Sequence, residues 1–346
     1  MQDALQIEVA STRPSETSRS EARALAFGVI LVVCILASAT FASWLPLQIS
    51  IVTVFLFAGP HNWFELRYFL MRLPVRFGKS RNFFLTAFTG LGILTISYVA
   101  LPLVYRATTW TNDGWLIIIA SWNTLLLVWL CVLVLLRGKQ KPHSNWTWAV
   151  PVTLAVCGLN WLAPDFFSLA LVYIHPLIAF WFLDRHLRRT RPVWVGTYRR
   201  CLAIVPVVVG LMIWQLTQTS ALAETNGLFW RITQHSGAEL LPNVSSRLLV
   251  SVHLFLEMLH YGVWIVALPL IGSTVNRAIW DPKSIPIARH PKGFPKLVAL
   301  LLCLGIVLTL VLWAGFSVDY STTRDIYFTL AIAHVMAEAP FLLRMI

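Results

Sequence analysis

Long apolar segments recur along this chain, and each is long enough to cross a lipid bilayer as a helix. A crossing helix needs about 20 mostly apolar residues. Of the 346 residues, 58% are hydrophobic and only 12% are charged, whereas soluble domains average about 25% charged residues. The sequence therefore predicts an all-α, polytopic integral membrane protein with little room for a soluble domain.

We expect about ten transmembrane helices packed as one bundle. The fifth and seventh segments are short, and each contains a proline. The polar, Ser-rich residues 1–23 lack the apolar core of a cleaved signal peptide, so we expect a disordered cytoplasmic tail there and one transmembrane domain over residues 24–346. The ten segments are Ala24–Trp44, Gln48–Leu70, Phe83–Tyr105, Gly114–Leu136, Trp146–Ala163, Phe166–Leu183, Cys201–Thr217, Leu248–Leu270, Lys296–Phe316 and Ile326–Leu343.

Basic residues are concentrated in alternate loops. The loops after the second, fourth, sixth and eighth segments are rich in Lys and Arg, and the other loops hold few. Because such loops stay in the cytoplasm, this alternation places both termini on the cytoplasmic side. Basic loops beside anionic lipid headgroups also explain the net charge of +12, so nucleic-acid binding is not indicated.

The eighth segment carries three ionisable side chains on one stripe of a helix. His253, Glu257 and His260 lie at positions i, i+4 and i+7, which share a helical face. Ionisable groups at membrane depth are costly, and they normally face a cavity, a partner or a bound ion. The same four-residue offset recurs in two other segments, as His61/Glu65 and His334/Glu338.

The expected topology brings these groups to one depth. The even-numbered segments all run from outside to inside, and their histidines fall roughly 5–13 residues in, or about 8–20 Å below the outer edge of the apolar core. His175 and Asn123, from the sixth and fourth segments, belong to the same layer, and Glu65 lies somewhat deeper. Five helices therefore contribute polar groups to one slab of the membrane.

A metal site is the chemistry that this layer favours. Imidazoles suit iron, copper and zinc, and carboxylates either complete the ligand set or orient an imidazole through its N–H. Glu257 and Glu338 are the candidates for a catalytic role as ligand, orienting group or proton carrier, while Glu65 and Asn123 would support the ligands from behind. The candidate metal ligands are His61, His175, His253, His260 and His334.

Two stretches resemble the Brp/Blh family of membrane β-carotene dioxygenases. The first is AGPHNWFELRYF, which contains His61, and the second is HPLIAFWFLDRHLRR. The resemblance implies a multi-helix membrane fold with an iron held by histidines from several helices, cleaving a polyene with dioxygen. It makes His61 an iron ligand and leaves His175 and His186 as alternatives in the second stretch. Asn62 and Glu65 stand where that family usually has Gly and Asp.

The sequence thus favours a membrane-embedded non-haem iron oxygenase. We expect its substrate to be an apolar isoprenoid or carotenoid-like molecule that enters from the lipid, and its location to be a bacterial inner membrane. A proton-coupled transporter or channel is an alternative, because intramembrane His and Glu chains also relay protons. A haem protein with two axial histidines, and a structural subunit fastened by its polar layer, are further alternatives.

Overall fold

The computed structural model describes residues 16–107, 112–141, 145–272 and 281–346. Within these ranges the chain forms helices and short connections, with no β-strand. The prediction of an all-helical bundle is confirmed within these ranges. The α-helices are α1 (Glu16–Trp44), α2 (Pro46–Arg72), α3 (Arg81–Ala107), α4 (Asn112–Lys139), α5 (Ala149–Leu162), α6 (Pro164–Thr190), α7 (Trp194–Leu202), α8 (Ile204–Leu216), α9 (Gly227–His235), α10 (Ser246–Tyr261), α11 (Leu268–Gly272), α12 (Pro286–Arg289), α13 (Pro295–Val318) and α14 (Tyr320–Met345).

Eight helical stretches in the described part of the chain are long and apolar enough to cross a membrane. The two further segments of the sequence analysis correspond to α5 and α2. With 14 residues, α5 is roughly 21 Å long, which is shorter than the apolar core of a bilayer, about 30 Å thick. The 27-residue α2 is long enough, but Gln48, His61 and Asn62 make it less apolar. The eight stretches are Ser20–Trp44, Gly78–Tyr105, Gly114–Lys139, Pro164–Thr190, Trp194–Leu216, Ser246–Ile271, Pro295–Val318 and Tyr320–Met345.

Helix boundaries depart from the expected ones at two places. The first helix begins at Glu16 rather than Ala24, because the Glu, Ser, Arg and Ala residues before Ala24 are compatible with a helix that continues beyond its apolar part. Residues 16–23 are therefore helical and not a disordered tail, while residues 1–15 lie outside the described ranges. The expected seventh segment, Cys201–Thr217, corresponds mainly to α8, and its first two residues end the preceding helix α7, which meets α8 at Ala203.

The helix α10 lies at the centre of the bundle. In its stretch Ser246–Ile271, 61% of the most apolar window is buried, against 11–39% in the other candidate spans. It packs against α1, α2, α6 and α8. In contrast, α13 leaves large apolar side chains such as Leu300, Leu310 and Val311 exposed, as a lipid-facing helix does. Side chains on α10 are thus shielded from lipid.

Four helices carry a local irregularity next to a buried ionisable residue. A proline lies inside α2 at Pro60, inside α6 at Pro176 and inside α14 at Pro340. A proline inside a helix removes one backbone hydrogen bond and bends the helix. In the central helix, α10 ends at Tyr261 and a π-helical stretch follows over Gly262–Ala267. Such π-helical turns occur mostly as local bulges within α-helices, and they are frequent at functional sites.

α2 and α13 pack closely together next to Pro60, the proline inside α2. A Cβ atom on Gly59 would lie 2.7 Å from the Cγ2 atom and 3.0 Å from the Cα atom of Thr309. Only a residue without a side chain allows this approach. The contact holds α2 against α13 one residue before Pro60 and two residues before His61.

Candidate metal centre

Four histidines from four helices converge inside the bundle. We call His61 (α2), His175 (α6), His260 (α10) and His334 (α14) the histidine cluster. Their ring centroids are 4.6 Å apart for His175 and His260, 5.0 Å for His175 and His334, 5.1 Å for His61 and His334, and 5.5 Å for His61 and His260. The structure thus brings together four of the five histidines that the sequence proposed as ligands.

Two overlapping sets within this region have the spacing of metal ligands. One candidate ligand atom from each of His61, His260 and His334 lies within 4.8 Å of the other two. The same limit holds for His175, His260 and Glu338. Because His260 belongs to both sets, the four imidazoles and the Glu338 carboxylate form one contiguous group.

Glu338 fixes the orientation of His175. The Nδ1 atom of His175 lies 3.1 Å from the Oε2 atom of Glu338. An ionised carboxylate only accepts hydrogen bonds, so Nδ1 carries the hydrogen and the lone pair of a neutral His175 is on Nε2. This pairing of a carboxylate with the outer nitrogen of an imidazole is the arrangement that orients histidine ligands in metal sites.

A backbone carbonyl orients His61 in the same way. The Nδ1 atom of His61 lies 3.2 Å from the carbonyl oxygen of Phe57, one helical turn earlier. Since a carbonyl only accepts, the hydrogen is on Nδ1 and the lone pair is on Nε2. That Nε2 atom is buried and has no hydrogen-bonding partner among the described residues. Buried polar atoms are rarely left in this state.

His334 and His260 also direct ring nitrogens toward the other members of the histidine cluster. The Nε2 atoms of His334 and His175 lie 3.2 Å apart, and two nitrogens bound to one ion at about 2.1 Å are about 3.0–3.4 Å apart in adjacent positions. Neither ring nitrogen of His260 makes a well-aligned hydrogen bond within the described ranges, although the Pro176 carbonyl faces the ring. The donor set and its unpaired nitrogens therefore fit a metal ion.

A second carboxylate lies next to the cluster. Glu65, one turn after His61, is 1% exposed, and neither of its oxygens is hydrogen-bonded within the described part of the chain. It interacts electrostatically with Glu338. The second oxygen of Glu338 faces the indole N–H of Trp264 without a well-aligned bond. Two buried carboxyl groups thus accompany the four imidazoles.

His253 and Glu257 lie outside the histidine cluster, although they share a helix with His260. The ring of His253 lies 5.2 Å from that of His235 and 5.7 Å from that of Tyr173, measured between centroids. Glu257 accepts a hydrogen bond of 2.9 Å from the Tyr261 hydroxyl. The helical stripe of the sequence is real, but its three residues face two different sets of neighbours.

Sequence reasoning did not single out His235. It is the last residue of the short helix α9, and its ring packs 4.4 Å from Phe328 as well as beside His253. Burial lowers the pKa of His235 well below its ordinary value, and the proximity of His253 and Arg324 lowers it further. The sequence did not mark His235 as a candidate because α9 has only nine residues and lacks the apolar length of a membrane span.

Asn123 is held by other polar side chains rather than by a histidine. Its amide nitrogen donates to the Asn160 side-chain oxygen at 2.8 Å and approaches the Ser168 hydroxyl at 3.4 Å. Asn160 in turn donates to the Ala120 carbonyl at 2.8 Å. These bonds join α4, α5 and α6, and they give Asn123 a structural role at the wall of the cavity described next.

A cavity of about 180 Å³ joins the histidine cluster to the rest of the polar layer. Asn123, His253 and Glu257 line it together with all four histidines of the cluster. Its other walls are mainly aromatic and aliphatic, from Tyr98, Ile119, Trp122, Leu171, Val172, Phe328 and Ile332. The arrangement is a largely apolar pocket lined by a small number of convergent polar groups, which is typical of ligand sites.

His186, the alternative to His175, lies away from the histidine cluster. It contacts Arg72, whose Nη2 atom is 3.1 Å from its Nδ1 atom. The structure therefore associates His175 and not His186 with the other three histidines.

Comparisons of the whole chain with protein-family models, curated proteins and solved structures give no match. The fold and the site define an all-helical protein with membrane-length helices and a buried cluster of four histidines. A relationship to membrane β-carotene dioxygenases stays a prediction from the two sequence stretches.

Proposed function

We propose that this chain is a membrane-embedded oxygenase whose histidine cluster binds a non-haem iron. The supporting observation is the convergence of four imidazoles from four helices, two of them oriented through Nδ1 so that Nε2 presents a lone pair. Four neutral imidazoles are a suitable ligand set for iron. The resemblance of the His61 stretch to iron-dependent dioxygenases favours iron over copper or zinc.

Within this proposal the residues of the site are either metal ligands or groups that support the ligands. His61, His175, His260 and His334 hold the ion, and Glu338 keeps His175 in the required tautomer. A bound iron with open positions would supply the activation of dioxygen. Glu65 is placed to hold or pass on a proton beside the cluster, while Tyr261 keeps Glu257 at the wall of the cavity.

The cavity walls favour an apolar substrate. Aromatic and aliphatic side chains make up most of the lining beyond the histidines. A volume of about 180 Å³ accommodates a segment of an isoprenoid or carotenoid chain but not a complete carotenoid. We therefore propose that the reacting segment lies in the cavity and that the rest of the molecule extends between helices toward the lipid, from which it enters.

The proposed site also implies a membrane position for α2. Its His61 lies among residues of α6, α10 and α14, which are three of the eight candidate spans. We propose that α2 crosses the membrane with them and that α5 enters it as well, as in the ten-segment topology. Both termini would then be cytoplasmic, in a bacterial inner membrane.

Iron content per chain tests the proposal. Elemental analysis of detergent-purified protein should give about one iron per chain in the wild type and much less in His61→Ala and His260→Ala. His253→Gln and His290→Ala are the controls and should keep the iron, because neither residue belongs to the histidine cluster. A folded wild-type protein without iron or another transition metal would overturn the proposal.

Turnover of β-carotene in detergent micelles tests the substrate class separately. The expected result is oxygen-dependent loss of β-carotene with formation of carbonyl products, in the wild type and not in His260→Ala. An iron-containing protein that leaves β-carotene unchanged would retain the metal site and exclude this substrate.

Proton-coupled transport is the second candidate, and Glu65 is the observation that favours it. A buried carboxyl group without a hydrogen-bonding partner in the ranges that the structure gives is costly unless it serves a function such as proton relay. If the chain is a proton-coupled transporter, the purified protein should be free of metal, and its proton uptake should depend on Glu65 and Glu338. A haem is less well accommodated, because the four rings crowd around one point and leave little room for a macrocycle between them.

A further inference from the structure

A second group of basic residues lies at the opposite end of the helices from the cavity walls. We call Arg72 (α2), His186 and Arg189 (α6) and Arg344 (α14) the basic cluster. Arg72 and Arg189 both act electrostatically on His186, and Arg344 interacts with Arg72 and Arg189. The ends of three helices thus bring positive charge to one place.

The contacts within the basic cluster determine where its hydrogens are. Arg72 Nη2 lies 3.1 Å from His186 Nδ1. A guanidinium group only donates, so His186 Nδ1 must be the acceptor, and the hydrogen of the neutral imidazole is on Nε2. His186 is 5% exposed, and this Nε2–H has no acceptor among the residues that the structure describes.

Arg72 presents a second donor without an acceptor. Its Nε atom is buried and makes no hydrogen bond within the described ranges. The guanidinium group is held over the Tyr68 ring, with its central carbon 5.0 Å from the ring centroid. Arg344 is tied to the same helix end, because its Nη1 atom donates to the Arg72 carbonyl at 2.7 Å. The Tyr68 ring therefore orients the Arg72 guanidinium group, and the backbone of α2 holds the Arg344 side chain beside it.

Acidic residues of the described chain do not neutralise this group. The nearest acid in sequence, Asp184, is already engaged: it binds Arg188 at 2.8 Å and Arg199 at 2.8 Å. The ion pairs found within the described ranges include none of the four residues of the basic cluster. Positive charges and donors without acceptors are what an anion with several oxygen atoms would complement.

We propose that the basic cluster binds a phosphate group. Phosphate oxygens accept hydrogen bonds and carry negative charge, so they match the donors of Arg72 and His186 and the charges of Arg189 and Arg344. The location at the helix ends, beside the lipid headgroup region of a membrane-spanning bundle, fits the headgroup of an anionic phospholipid, and the same chemistry also fits free phosphate. This site is separate from the histidine cluster and does not depend on its function.

Non-specific attraction of lipids to basic residues is the alternative explanation. Such attraction depends on total charge near the surface, and each Lys or Arg contributes similarly. A built site depends instead on particular side chains. Arg200 is the matched control, since it is an exposed arginine of α7 outside the basic cluster. Replacing it removes the same charge as replacing Arg72.

Thermal unfolding of the purified chain in a non-ionic detergent tests the proposal. Dioleoylphosphatidylglycerol should raise the unfolding temperature saturably, and dioleoylphosphatidylcholine should do so much less because its choline charge is repelled. Arg72→Gln should raise the half-saturating lipid concentration about tenfold or more, the usual effect of losing a charge-assisted hydrogen bond. Arg200→Gln should leave that concentration unchanged. If Arg72→Gln does not fold, Arg189→Gln removes charge from an exposed member of the basic cluster and should also weaken the effect.

Inorganic phosphate in the same assay identifies the source of the phosphate group. Stabilisation by phosphate alone, lost in Arg72→Gln or Arg189→Gln, supports a free anion, and stabilisation by the lipid alone supports a headgroup. The proposal is overturned if neither probe shifts the unfolding temperature. It is also overturned if the basic-cluster variants respond to the lipid as Arg200→Gln does.

Discussion

The Nε2 atoms of His175 and His334 lie 3.2 Å apart although 159 residues separate them in the chain. This contact joins α6 to α14 at the centre of the histidine cluster. Because the other nitrogen of His175 is engaged by Glu338 at 3.1 Å, the two Nε2 atoms are directed toward each other by the packing of three side chains. The proposed metal ion would bind between these two nitrogens, whose separation also matches a hydrogen bond between the two rings.

Glu338 should control metal affinity without being required for folding. In Glu338→Leu, the Nδ1–H of His175 loses its acceptor, and the loss of such a supporting bond typically weakens metal binding about 10–100-fold. Iron retained after dialysis against graded chelator concentrations measures the change. Glu65→Leu is the control, because it removes a buried carboxylate of the same region that does not bond to a histidine; an equal loss in both variants would contradict the orienting role.

Tyr261→Phe should reduce stability and leave the metal in place. The variant leaves Glu257 without the 2.9 Å bond from the Tyr261 hydroxyl, and an unsatisfied buried acceptor costs about 1–3 kcal/mol. Thermal unfolding in detergent should therefore show a lower midpoint than in the wild type, with unchanged iron content. Loss of iron in this variant would place Glu257 among the groups that hold the metal.

His253→Ala should keep the metal, in contrast to His334→Ala. His253 packs with His235 at 5.2 Å between ring centroids, whereas His334 packs with His61 at 5.1 Å and His175 at 5.0 Å. The two changes remove the same side chain from the same cavity. Equal metal loss in both proteins would mean that the ligand set extends to His253.

Gly59→Ala should destabilise the bundle at the contact between α2 and α13. The new methyl group would lie 3.0 Å from the Cα atom of Thr309, so the backbones have to move apart, and overpacking of this kind costs about 1–3 kcal/mol. Gly158→Ala is the control, since its Cβ would meet no atom within 4 Å. The two unfolding midpoints should differ, with the Gly59 variant lower.

The helical class and most residues of the candidate site can be named from the sequence because both depend on local patterns. Apolar length identifies membrane helices, and the His-x3-Glu offset alone marks His61, Glu65, His334 and Glu338 as candidates. The expected topology then places His175 at the same depth. These inferences need only helical geometry and the thickness of a bilayer.

Other features depend on packing that the sequence does not express. Helical spacing puts His253, Glu257 and His260 on one stripe, but which neighbours face that stripe depends on how α6, α9 and α14 dock against α10. The interruption at Gly262–Ala267 and the contact between Gly59 and Thr309 likewise arise from tertiary structure. His235 was missed for the same reason, because it reaches the cavity from a short helix outside the candidate spans.

X-ray absorption at the metal edge of the purified protein tests the central claim most directly. The account predicts iron with three or four imidazole nitrogens at about 2.1 Å, the usual distance for histidine ligands, and a loss of nitrogen ligands in His175→Ala and His334→Ala. A protein without metal, or a metal coordinated without imidazole, would contradict the account and leave the buried carboxylates Glu65 and Glu338 as the basis for a proton-coupled function.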